Sequence, residues 1–226
     1  MKVLGITSGM GITGAGIAGD GKDAILAECS AASSEVQSEK LIGLIDELLK
    51  RSKLKISDIE AVAVTTGPGS YSGLRGGLAT AKGLVEGLNV PIISVSALRA
   101  IAYNLIDTDG AIVVAVNACR DDYNFALFAS RSGLLKRLTS DMTLKADNIK
   151  KTLSKVTGRI TVACDERMRL ELKGSGIEFA DPKNAVPWGI NVARIGIEKL
   201  KKRETDDHLI MAPRYSHKPN IREFKK

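Results

Sequence analysis

Apolar positions along this chain switch between the short runs of strands and the three-and-four spacing of helices, and the order of the switches occurs twice. Residues 2–8 are apolar and followed by turn residues, a first strand. Residues 11–19 are Gly-rich, with Ile12, Gly14, Gly16 and Ala18 in alternation. Asp20-Gly21 then reads as a hairpin dipeptide before the apolar run 24–29. Three strands joined by tight turns give an antiparallel start. Leu41, Leu44, Ile45 and Leu48 recur at i, i+3, i+4 and i+7, which predicts a helix ending near Arg51. Ser34 with Gln37 makes a capping box at its start. Ile42 and Leu49 widen its apolar surface beyond what docking on one sheet requires. Ala61-Val62-Ala63-Val64-Thr65 is uniform enough to be a strand buried on both faces. Residues 66–70 form a turn, 71–88 a helix, 91–94 a short strand and 97–105 a helix.

The order then restarts. Strands are expected over 111–116, 123–129 and 134–139, a helix over 148–156, a strand over 161–163 and a last helix over 190–202, with a loop at 181–187 that holds two prolines. The pattern predicts two α/β halves of similar design, residues 1–107 and 108–226, with a seam near 107–110.

Composition narrows the function classes. A chain of 226 residues with 44% hydrophobic and 26% charged residues is of the soluble globular kind. Only 4% is aromatic, which argues against modules that stack bases on Phe and Tyr. Lys plus Arg exceeds Asp plus Glu by 33 − 26 = 7. Much of that excess lies in residues 212–226, where Arg214, Lys218, Arg222, Lys225 and Lys226 stand against Glu223, 5 − 1 = +4. Those five are either a solvated tail or candidate contacts to the phosphates of an RNA. Cys29, Cys119 and Cys164 are odd in number and far apart, as expected of free thiols in a reducing cytoplasm. No apolar run approaches the roughly 18 residues of a membrane span, so no membrane association is expected. The opening residues resemble the front of a signal peptide, but Gly, Thr and Ser interrupt them. His208 and His217 stand alone near the C-terminus, and no metal site or nucleophile–base pair can be assembled from them.

Two glycine motifs are decoys. Gly14-Ala15-Gly16-Ile17-Ala18-Gly19 spells the dinucleotide fingerprint, yet a strand rather than a helix follows it. Gly16 with Gly21-Lys22 mimics a phosphate-binding loop, but Asp23 stands where a Ser or Thr would ligate magnesium. Glycines of a twisted hairpin explain both.

The segment Thr65-Thr66-Gly67-Pro68-Gly69-Ser70-Tyr71-Ser72-Gly73-Leu74-Arg75 joins a buried strand to a helix. Ser70 or Ser72 can cap that helix, and the backbone amides at its start can attract an anion. Gly67, Pro68, Gly69, Ser70, Ser72, Gly73 and Arg75 are therefore candidates for an anion or nucleotide turn, or simply a well-capped joint. The helix carries an apolar stripe (Leu74, Leu78, Ala81, Val85, Leu88) and a stripe of small residues (Gly73, Gly76, Thr80, Gly83, Gly87). Gly76, Gly77 and Gly83 cost about 2–3 kcal/mol relative to Ala. Close approach by another backbone would offset that cost. Leu41, Ile42, Ile45 and Leu49, with the small stripe, form the candidate interface.

At this segment the sequence resembles the TsaB (YeaZ) family. The resemblance is carried by Leu4-Gly5-Ile6-Thr7-Ser8, residues 38–49, residues 61–83 and Val95-Ser96-Ala97-Leu98. It is most specific at Gly67-Pro68-Gly69-Ser70-Tyr71-Ser72-Gly73-Leu74-Arg75, and Met211-Ala212-Pro213-Arg214-Tyr215 resembles the family's closing motif. It implies an α/β fold of the actin/Hsp70/sugar-kinase type, a duplicated βββαβα arrangement of two ribonuclease-H-like halves. It also implies a non-catalytic dimerization subunit in the modification of tRNA adenosine 37 to N6-threonylcarbamoyladenosine. Such a subunit supports a TsaD-like transferase, with a TsaE-like ATPase and tRNA joining the assembled complex, and a homodimer is open to the isolated chain. In the family the first two helices supply the dimer surface. Thr7 and Asn117 stand where relatives carry Asp, and Gln37 where they often carry His. No catalytic residue, metal or cofactor is expected. The alternative is an ATP-binding catalytic or regulatory protein of the same superfamily.

Overall fold

A computed structural model describes residues 1–20, 25–32, 37–174 and 176–217, without the side chains of 25, 26, 32 and 37–39. The first half begins with β1 (Lys2–Thr7), β2 (Ile12–Gly19) and β3 (Ile25–Ala32). Then come α1 (Gln37–Ser52), β4 (Ala61–Gly67), α2 (Tyr71–Leu88), β5 (Ile92–Ser96) and α3 (Ala97–Tyr103). The second half holds β6 (Gly110–Cys119), β7 (Asp122–Arg131), β8 (Leu134–Arg137), β9 (Met142–Lys145) and α4 (Ala146–Leu153). It closes with β10 (Ile160–Cys164), α5 (Glu166–Glu171), β11 (Glu178–Phe179) and α6 (Gly189–Lys201). Ser34, of the expected capping box, lies outside the described residues, as does the side chain of Gln37.

The two sheets repeat one topology. The first runs β3-β2-β1-β4-β5 and the second β11-β10-β6-β7-β8, with β9 also on β7. In each, the first strand pairs antiparallel with the second and parallel with the strand after the first long crossover. This is the duplicated α/β class that the sequence predicts. The elements it missed are short: β9 has four residues, α5 six and β11 two, too few for a periodic signal.

Strand alternation sorts side chains into four cores. Leu4, Ile6, Val62 and Val64 face α1 and α2, while Val3, Ala61, Ala63 and Ile93 face α6. Ile112, Val114 and Phe128 pack on α3, and Val113, Phe125 and Leu127 on α4 and α5. With helices on both faces, β4 is buried along its whole length, which explains its uniform composition.

The last helix crosses the seam. α6 follows the boundary at 107/108 in sequence, yet it packs on β1, β2 and β4 of the first sheet. Two glycines make this possible. Gly5 and Gly16 are cross-strand neighbours, and a Cβ on either would lie under 3.0 Å from α6 backbone, at the Gly189 carbonyl and the Ile190 amide respectively. The third residue of that row is Glu28 on β3. Trp188, at the N-cap position of α6, makes no side-chain cap; the Glu28 carboxylate instead accepts from the amides of Gly189 (3.2 Å) and Ile190 (2.6 Å). Burial pushes the Glu28 carboxyl up to about 7, against the pull of those two amides. Gly16 of the decoy motif therefore does meet a helix N-terminus, but that of α6, from the other half of the chain, whose first amides are held by the Glu28 side chain.

Candidate functional site

The Gly67 turn sits where β4 meets α2, beside the turn that follows β1. Gly67 has φ +138°, and a Cβ there would lie under 3.0 Å from the Arg214 carbonyl oxygen. The Arg214 amide donates to Thr66 O at 2.6 Å. So the two motifs that carry the family resemblance, around residues 67–75 and 211–215, are packed against each other. The Ser70 amide donates to Gly9 O at 2.6 Å, and its hydroxyl accepts from the Gly73 amide at 3.3 Å as the α2 N-cap. The Gly73 carbonyl accepts from the buried Ser8 hydroxyl at 2.8 Å. The turn is thus a capped joint whose Ser70 and Gly73 amides are already engaged, while Ser72 remains exposed.

Arg75 is also engaged. Its guanidinium lies 3.9 Å from the Tyr71 ring centroid, and its Nε donates to the Tyr215 hydroxyl at 3.1 Å. The Tyr71 and Tyr215 rings stack at 4.8 Å. Residues 211–217 form a strap that continues across the seam, where the Ser216 hydroxyl bonds Asn124 at 2.5 Å and His217 meets Asp122 at 3.2 Å.

A cleft of about 650 Å³ opens between the halves, bordered by Gly69, Tyr71, Asn117, Asp165, Glu166 and His217. It lies at the carboxyl ends of β6 and β10, where open α/β sheets place ligands. Thr7 and Asn117 lie near the ends of the topologically equivalent strands β1 and β6. Thr7 is fully buried and its hydroxyl has no hydrogen-bond partner among the described residues. Asp165 is an acid that the sequence reading did not single out. One of its oxygens accepts from the Asn117 amide at 2.5 Å and the other from the Met168 amide at 3.0 Å, so it caps α5. The signal was an Asp-Glu pair directly after an apolar strand, a helix-start pattern. Beside it, the Cys164 thiol is pushed up to about 12 by burial. All three cysteines are free. Among the described residues no cluster of three or more His, Cys, Asp or Glu could hold a metal ion, and no helix is long and apolar enough to cross a membrane.

The candidate interface divides in two. Leu41, Ile45 and Leu49 are buried in the chain's own core, and Gly73 is buried under the turn, which corrects their assignment to a surface. They pack inward because α1 covers both the sheet and α2. Ile42 is 57% exposed, and Gly83 and Gly87 face open space. Gly76 and Thr80 are half-buried. Gly77 has its own reason, since a Cβ there would meet the Ser8 hydroxyl under 3.0 Å away. Of the basic tail, Arg214 lies on the strap, and Lys218, Arg222, Lys225 and Lys226 lie outside the described residues.

Known proteins place these features in a family. The family model described as "TsaD: tRNA N6-adenosine threonylcarbamoyltransferase" matches residues 31–222. The "tRNA threonylcarbamoyladenosine biosynthesis protein TsaB" of Bacillus subtilis (strain 168) is 31% identical over 123 residues, 54% of this chain and 54% of that protein. Its namesake from Escherichia coli (strain K12) is 24% identical over 173 residues, 74% of this chain and 75% of that protein. The chain thus aligns with about half the length of the first relative and three quarters of the second. A solved Pseudomonas aeruginosa structure, described as an uncharacterized protein with similarity to peptidase YEAZ, superposes with a TM-score of 0.81 at 16% identity, covering 96% of this chain and 99% of that one. With the model matching most of the chain and the fold matching throughout, the chain belongs to the TsaD-related threonylcarbamoyladenosine family, in its TsaB (YeaZ) branch.

Proposed function

We propose that the chain is a non-catalytic subunit of the machinery that converts tRNA adenosine 37 to N6-threonylcarbamoyladenosine. In this reading it docks on a TsaD-like transferase in the cytoplasm, a TsaE-like ATPase joins the pair, and the assembled complex holds tRNA. The observation that carries it is the chemistry of the strand ends beside the cleft. Thr7 and Asn117 occupy the strand ends where an acid would serve catalysis, and both Asp165 oxygens are engaged by backbone amides. Ile42, Gly83 and Gly87 support a docking face on α1 and α2 for the transferase or a second copy.

Co-expression with the host's TsaD-like protein tests this, with threonylcarbamoyladenosine measured in tRNA digests by mass spectrometry. Modification is expected only with both chains present, and Ile42→Glu with Gly83→Leu is expected to abolish co-purification. Formation of the modified base by this chain alone from threonylcarbamoyl-AMP and tRNA would overturn the reading. The cleft of about 650 Å³ favours a second reading, an ATP-binding protein of the superfamily, because its size suits a nucleotide. Calorimetric titration with ATP separates the two: micromolar, magnesium-dependent binding with turnover belongs to the second alone.

A further inference from the structure

A second cleft, of about 540 Å³, lies on the other side of the Gly67 turn, walled off from the first by the strap at Tyr215 and Ser216. Four cationic side chains from four different segments line it: Arg99 of α3, Arg137 of β8, Lys199 of α6 and Arg214 of the strap. Among the described residues Asp141 is the single carboxylate in the lining, so these side chains sum to 4 − 1 = +3.

The cations are not equally compensated. Arg99 pairs with Glu198 at 2.9 Å, and Arg137 with Asp141 at 2.5 Å. Lys199 donates to the neutral carbonyl of Ser94 at 3.0 Å and has no carboxylate within salt-bridge distance among the described residues. The Arg214 guanidinium has neither a hydrogen bond nor an ion pair among them; only its backbone amide is engaged. Lys199 is half-buried, so its charge is partly stripped of water without receiving an anion in exchange. An ammonium has three donors, and the Ser94 carbonyl takes one. Arg99 and Arg137 are also half-buried, which fixes them better than lysines on an open face. Convergent, partly desolvated cations around a pocket select multiply charged oxyanions.

We propose that this cleft binds a phosphate-bearing ligand through Lys199 and Arg214, with Arg99 and Arg137 adding to the field. The volume is large for a single phosphate and suits a polyphosphate chain or two adjoining backbone phosphates. The site stands apart from the docking function proposed above, since the isolated full chain is enough to test it.

Inorganic triphosphate is titrated into the full chain by calorimetry at low salt, and an unmodified tRNA transcript is titrated separately by fluorescence anisotropy. Lys199→Met with Arg214→Gln is expected to weaken triphosphate binding at least tenfold, while Lys173→Met, on an exposed site away from the cleft, leaves it unchanged. Single Arg214→Gln, at an exposed position, is expected to show part of the loss should the double variant fail to fold, and Lys199→Arg to retain binding. If tRNA displaces triphosphate and shares its sensitivity to the double variant, the phosphates come from nucleic acid. If tRNA binding ignores the variant, they come from a small molecule. Absence of saturable triphosphate binding to the wild-type chain at millimolar concentration overturns the proposal, as does equal affinity of the folded double variant.

Discussion

The two sheets share a strand order but are covered in opposite ways. The first is built for close approach: Gly5 and Gly16 leave room for the backbone of α6, and α1 and α2 are long, with 16 and 18 residues. The second is built by filling volume: Tyr123, Phe125 and Phe128 are its largest fully buried side chains, and α4 and α5 have only eight and six residues. One topology thus tolerates two packing solutions. Removing bulk admits a helix from elsewhere in the chain, and adding rings compensates for short helices.

The sharpest test of that contrast is Gly16→Val. The obstructing atoms are α6 backbone and cannot rotate away, so no folded protein is expected by circular dichroism, a loss above about 5 kcal/mol. In the other sheet, Phe125→Ala removes a fully buried ring and should cost about 3–5 kcal/mol by urea denaturation while leaving the fold intact. Glu28 comes next. Unfolded, its carboxyl titrates near 4.5; folded, it holds a proton to about 7. The folded state therefore binds more protons between those values, and stability should fall as pH rises through that window, by up to about 3 kcal/mol. Glu28→Gln should flatten this part of the pH profile of urea midpoints. At Gly83, which faces open space, Ala should stabilise by about 1 kcal/mol, raising Tm by roughly 2–4 °C in differential scanning calorimetry. Tyr215→Phe keeps the stacked ring and removes the acceptor for Arg75. Because that contact is exposed, the change should stay below about 0.5 kcal/mol in the same denaturation assay.

Features encoded by local period were legible in the sequence. The uniform run of β4, the apolar stripe of α2 and a cap at Ser70, one of the two candidate serines, occur where the residues placed them, because each is written in a short local run, even though the helices that cover β4 come from distant segments. The partners of Gly16, Glu28 and Gly67 were not legible, since each meets a segment more than a hundred residues away. The candidate interface shows the same limit. A helical stripe distinguishes one face from another, but not which neighbour covers it, so Leu41, Ile45 and Leu49 read as surface and lie inside. Asp165 was overlooked because a capping Asp and a catalytic Asp look alike until both oxygens are located.

The crossing of α6 carries a consequence for how the chain comes apart. Severed at 107/108, the first sheet would lose the helix over one face, exposing Val3, Ala61, Ala63 and Ile93. The second would lose α3, with Leu98, Ile101 and Ala102, from the face formed by Ile112, Val114 and Phe128. Neither piece encloses a complete core, although each contains a complete sheet. A repeat visible in the sequence is therefore not a unit of folding. The two fragments should aggregate apart and assemble when mixed, and the intact chain should melt in one cooperative transition.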